Sequence, residues 1–116
     1  MKPEETAATL LALSDGVRYV AVRHGDEVSM RQRADLRNAS SGESDLYEEL
    51  LVNPTLLKLA GERGRIDCGG LEFLVVRYGS FFQLVLPTKS GHVSIAIEPE
   101  GDPTTLAARA RQVLGL

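Results

Sequence analysis

The residues equipped for chemistry are few. In SGHVS, His92 stands between Ser90 and Ser94, which are the residue types of a base beside a nucleophile. An active site also gathers a charge-stabilising group, and the set here is poor, so no catalysis, no bound cofactor and no metal are expected. His92 follows the turn glycine Gly91 and opens a strand. It reads as an exposed turn histidine, with catalytic base the lesser alternative. His24, in HGD, reads the same way. Cys68 precedes Gly69-Gly70 with no base in view and reads as a small half-buried thiol. One cysteine and two separated histidines make no zinc pattern.

GERGRIDCGG, residues 61–70, has the glycine content of a phosphate loop and the wrong context. A phosphate loop follows a strand and ends in Gly-Lys-Ser or Gly-Lys-Thr opening a helix, whereas this segment leaves a helix and enters a strand. Its glycines read as helix stop and strand entry. Arg18, Arg23, Arg31, Arg33 and Arg37 gather positive charge on the first hairpin and the loop after it. Edge protection and solubility lead as the explanation. An acidic protein partner contacted by Arg31 and Arg33 is the next alternative, and a nucleic-acid stripe the last.

Thirteen Lys and Arg against 16 Asp and Glu leave a net charge of −3, which gives no general affinity for phosphate backbones, and no nucleic-acid partner is expected. With 116 residues, 43% hydrophobic and 25% charged, the chain suits one domain with one core, residues 1–116. Aromatic residues are only 5%, which argues against a large ligand pocket or a base-stacking platform. No segment is long enough for membrane insertion, and the opening MKPEETAATLLALSDG lacks the basic head and cleavage site of a signal peptide. The expected compartment is cytoplasmic.

The elements that must position these residues follow from pattern. Pro3, Glu4 and Glu5 open a short helix with Leu10, Leu11 and Leu13 as its apolar stripe. Val17 to Arg23 alternates as a strand, turns at His24-Gly25-Asp26 and returns through Val28 and Met30, with Ser29, Arg31 and Arg33 guarding an edge. ADLRNASSGES is a polar loop. Ser44-Asp45 then begins a helix whose Leu46, Leu50 and Leu51 form one apolar side, and Asn53-Pro54 is expected to break it, with Asn53 capping a second half to about Gly61. Leu71 to Tyr78 is a strand, with turns at Tyr78-Gly79-Ser80 and Lys89-Ser90-Gly91 leading to two more. Asp102 caps a last helix with Pro103 at its first position and Gly115 closing it. The expectation is an α+β fold in which a five-stranded antiparallel sheet is sandwiched by helices on both faces, in the order α-β-β-α-β-β-β-α.

Leu71, Phe73 and Val75 alternate with Leu74, Val76 and Tyr78, so both faces of this strand are apolar. If the first strand is central in the sheet, the third falls at an edge, where a long apolar ribbon is a liability unless something pairs with it. An internal strand paired on both sides is the bland alternative.

The element order, with the hairpin GVRYVAVRHGDEV and the closing FFQLVLPTKSGHVSIAIEPEGDPTTLAARARQVL, resembles the roadblock / dynein light chain family over nearly the whole chain, from about Val17 to Leu114. The resemblance implies a profilin-like sandwich and homodimers joined through the third strand and the middle helix. It also implies non-enzymatic regulation or scaffolding of small Ras-like GTPases. Carried onto this chain, the self-association residues would be Leu71, Phe73, Val75 and Tyr78 on the strand with Leu50 and Leu57 on the helix. Pro54 is a departure from the usual continuous helix. The alternative function is a small-ligand sensory domain of similar architecture, which a pocket lined by His92, Tyr19 or Tyr78 would favour.

Overall fold

The computed structural model describes residues 1–116. The chain forms α1 (Pro3–Leu11), β1 (Val17–His24), β2 (Glu27–Gln32), α2 (Gly42–Tyr47), α3 (Asn53–Asp67), β3 (Leu74–Arg77), β4 (Phe82–Thr88), β5 (Gly91–Ile97) and α4 (Pro103–Leu114), with a π-helical turn, Glu48–Val52, joining α2 to α3. The α+β expectation and its element order hold. All pairings are antiparallel, in the order β2-β1-β5-β4-β3. β3 is therefore an edge strand, and β5, not β1, holds the centre.

Local chemistry accounts for the element ends. Gly25, with φ at +62°, supplies the left-handed residue in the tight turn between β1 and β2. Asp102 accepts from the amides of Thr104 and Thr105, Pro103 follows, and Gly115 closes α4 in the left-handed region. Gly91 lies so close to β1 that a Cβ there would sit 2.3 Å from the Arg23 carbonyl oxygen. Only glycine fits this crossing.

α1 and α4 cover one sheet face. Ala7 and Leu10 from α1 and Leu106, Ala107 and Ala110 from α4 pack on Val17, Val20, Leu84, Leu86, Val93, Ile95 and Ile97, which makes the main core. A register irregularity between Val17 and Tyr19 lets β1 place Val17 and Val20 on this same face although they are an odd number of residues apart. The other face carries a much smaller apolar cluster of Tyr19, Ala21 and Ala96.

The middle helix does not break at Asn53-Pro54. Tyr47, Val52 and Asn53 all keep right-handed helical dihedrals, and the Asn53 amide donates to the Glu48 carbonyl five residues back. One extra residue in the turn before Pro54 lets the backbone stay helical past a residue with no amide hydrogen, whose ring crowds the preceding turn. Asn53 is thus an interior helical residue instead of a cap. The N-cap is Ser41, whose hydroxyl accepts from the Ser44 amide. At the other end α3 runs to Asp67, so Gly61 and Gly64 lie inside the helix, and Gly69 and Gly70, both at positive φ, release the chain toward β3.

Candidate functional site

Helical spacing puts Glu49 and Asn53 on one face of the middle helix, and that face is turned to the sheet. Opposite it, His92, Ser94 and Ala96 alternate along β5 with the core residues Val93, Ile95 and Ile97. The Glu49 carboxylate, 0% exposed, accepts from Tyr19 Oη at 3.0 Å and Ser94 Oγ at 2.6 Å on Oε2, and from Asn53 Nδ2 at 3.0 Å on Oε1. His92 Nε2 lies 2.8 Å from Oε1. Four partners around one carboxylate replace the water that burial removes, which is the condition for burying such a group. The charge has a cost for its neighbours. Burial, together with the adjacent Glu49 carboxylate, holds the Tyr19 phenol far above the usual tyrosine range.

This arrangement has the residue types of a hydrolytic triad without its order. Ser94 and His92 both bond the carboxylate, whereas a triad needs the imidazole between hydroxyl and acid. The groups are closed to substrate as well, with His92 at 2% exposure. The cluster holds the helix to the sheet. His92 is therefore not the exposed turn histidine its position after Gly91 predicts; the sheet register carries it under the helix. His24 is exposed, 2.9 Å from Ser90 Oγ, and Cys68 is exposed, not half-buried.

With polar residues turned inward, the leucines face out. Leu46, Leu50, Leu51, Leu59 and Ile66 are all exposed along the middle helix, Leu59 at 66% and Ile66 at 76%, so the apolar side formed by Leu46, Leu50 and Leu51 is open to solvent. Leu57 is half-buried.

The third strand, β3, follows the middle helix, and the chain leaves the helix with Gly70 and Leu71 packed close to Gly64. The strand has four residues, fewer than Leu71 to Tyr78, and only β4 flanks it. Register with Val85 and Gln83 turns Leu74 and Val76 to the middle helix, whereas Val75, opposite Leu84, faces the other way and is 38% exposed. Leu71 and Phe73 precede the strand, and Phe73 packs on the main core. Tyr78 follows it and donates to the Glu48 carboxylate at 3.1 Å. Arg31 is exposed on β2 at the opposite edge, with Arg33 half-buried just beyond the strand.

Solved structures share this architecture. A Roadblock/LC7 domain from Streptomyces avermitilis matches with a TM-score of 0.74 at 14% identity, over 97% of this chain and 91% of that one. The fold is the roadblock fold. The gliding protein MglB from Thermus thermophilus matches at 0.67 and 15% identity, over 98% and 89% of the two chains, and MglC from Myxococcus xanthus at 0.60 and 13%, over 97% and 92%. No family model and no curated protein matches the chain. In this version of the roadblock fold, the middle helix keeps its continuity around Pro54 and clamps a buried carboxylate. No helix is long and apolar enough to cross a membrane.

Proposed function

We propose that the chain is a non-enzymatic homodimeric adaptor or regulator that binds a small Ras-like GTPase or a related signalling protein. Two observations support the self-association: the middle helix turns leucines outward, and β3 is an unpaired sheet edge. Contiguous exposed apolar surface and an open strand edge are each a hazard to a lone chain, and a two-fold partner covers both at once. In this reading Val75, Leu50 and Leu57 would make the contact, with Leu71 and Tyr78 flanking and Phe73 supporting the strand from the core. A tetrameric arrangement has been seen for MglB, a protein of the same fold. The GTPase partner follows from the roadblock resemblance and not from any residue here.

Pairing through β3 would leave the β2 edges at the two outer ends of a joined sheet. There Arg31 and Arg33 are free to meet an acidic surface. A rigid two-fold platform acts on a switch protein by binding one nucleotide state more tightly than the other, which shifts the equilibrium by that difference in affinity.

Light scattering gives the direct test. The wild type should have twice the mass of the 12.6 kDa chain, and Val75→Lys should return it to a folded monomer. A folded wild-type monomer would overturn the self-association. For the partner, purified protein immobilised as bait should retain a phosphate-loop GTPase from native lysate, with retention that differs between GDP and a non-hydrolysable GTP analogue. Equal retention in both states would remove the regulatory reading.

A further inference from the structure

A cavity of about 490 Å3 lies between the N-terminal part of the middle helix, the β1–β2 side of the sheet and the turn between β3 and β4. Its size is that of a small-molecule site. Tyr19, Tyr78 and Phe81 are among its aromatic walls, Ala96 is part of its floor, and Asp45 and Glu48 stand at its helix side. His92, enclosed under Glu49, is not part of it.

Two features of the wall point to an occupant. The first is a charge without a counter-charge. Arg18 is the cation that borders the cavity, and its guanidinium is already engaged by Glu98 Oε1 at 2.6 Å and the Arg37 carbonyl at 2.8 Å, above one side of the Phe81 ring. Glu48 receives the single proton of the Tyr78 hydroxyl, which leaves most of a carboxylate's acceptor capacity open. Burial, the largest influence, holds Glu48 above the usual carboxylate range, as expected for a carboxylate short of a cation. The second feature is Gln83. Its side chain lines the cavity at 2% exposure, and its Nε2 has no hydrogen-bond partner. A buried amide donor left unmade costs more than a typical hydrogen bond gains, so an acceptor is wanted at that point.

We propose that this cavity binds a small organic cation, an amine or quaternary ammonium that carries an oxygen acceptor. The cationic end would lie by Glu48 and Asp45 against the faces of the tyrosine and phenylalanine rings, where the ring quadrupole adds to the attraction. The oxygen would take the Gln83 amide. No group of His, Cys, Asp and Glu here is arranged to hold a metal ion, so an organic cation is the fitting occupant. The site is complete within one chain and does not depend on the dimer or on a GTPase.

The test is an amide-resolved NMR titration of the wild-type chain with choline, with tetramethylammonium, which lacks the oxygen, and with 3,3-dimethylbutan-1-ol, the neutral shape analogue of choline. Saturable shifts at Asp45 to Glu49 and Tyr78 to Gln83 are expected with choline, weaker ones with tetramethylammonium and none with the alcohol. Glu48→Gln should weaken choline about tenfold or more, and Gln83→Leu should erase the advantage of choline over tetramethylammonium. Should Glu48→Gln fail to give a folded spectrum, Asp45→Asn reads the same charge. Equal binding of the alcohol would make the cavity a merely apolar pocket, and absence of saturation by both cations would overturn the proposal.

Discussion

The His92 imidazole and the Glu49 carboxylate meet at 2.8 Å across a sequence separation of 43 residues, with neither side chain reaching solvent. The pair ties the central strand to the middle helix, and Tyr19, Ser94 and Asn53 complete it. Removing the acceptor strands every donor around it. Glu49→Ala should therefore lower the unfolding free energy by about 3–5 kcal/mol, whereas Ser94→Ala, which removes one bond to a charged group, should cost about 1.5–3 kcal/mol. Urea unfolding followed by circular dichroism measures both, and equal small losses would show that the carboxylate is not the hub.

Two glycines in α3 should respond to alanine with opposite signs. At Gly61 an added methyl would meet nothing within 4 Å, so Gly61→Ala gains only helix propensity and should stabilise by about 0.5–1 kcal/mol. At Gly64 the same atom would sit 3.1 Å from the Gly70 carbonyl carbon and 3.2 Å from the Leu71 nitrogen, both backbone. That approach is where the chain folds back from the helix toward β3. Gly64→Ala should cost about 1–2 kcal/mol despite its better propensity. Thermal melts of the two variants side by side decide it.

Features set by neighbours in sequence were legible, and features set by register were not. The β1–β2 turn and the Asp102 cap follow from glycine and capping signals a few residues long. The phase of the middle helix does not. Leu46, Leu50, Leu51 and Leu59 form the strongest apolar signal on it, and that signal names a buried face without naming the partner that buries it. Beneath the helix, three strands bring Tyr19, Gln83, His92 and Ser94 into one polar patch, which the leucines cannot cover. A local clue did exist. His92, Ser94 and Ala96 alternate with Val93, Ile95 and Ile97, so one face of β5 is polar or small and needs a polar answer, and Glu49 with Asn53 provides it. Pro54 was misleading for a related reason, since the π turn that accommodates it has no sequence signature of its own.

Alkaline titration should isolate Tyr78. Burial first, and then the Glu48 carboxylate, push its phenol up to about 12. The folded chain holds that proton after the unfolded chain has released it, so this contribution to stability is complete below about pH 10 and is lost as pH rises toward about 12. Tyr78→Phe removes the ionisation. Its unfolding free energy should fall less steeply than that of the wild type across this interval, and the wild-type minus variant tyrosinate absorbance should have its midpoint near 12. A midpoint at the ordinary tyrosine value would show that the phenol is not held against Glu48.

The outward leucines separate folding from association. Leu59 and Ile66 are 66% and 76% exposed, so polar replacement removes little packing within one chain. Leu59→Glu should change the stability of the monomer by no more than about 0.5 kcal/mol. If the stripe is the contact between copies, the same change places a charge in an apolar seam and should weaken dimerisation about tenfold or more. Mass action supplies a second readout. A dimer melts at a temperature that rises with protein concentration, because association favours the folded state, and a monomer does not. The wild type should show this rise across a dilution series and Leu59→Glu should show much less of it. A wild-type melting temperature independent of concentration, in a chain that scatters as a monomer, would leave the leucines without a role in pairing.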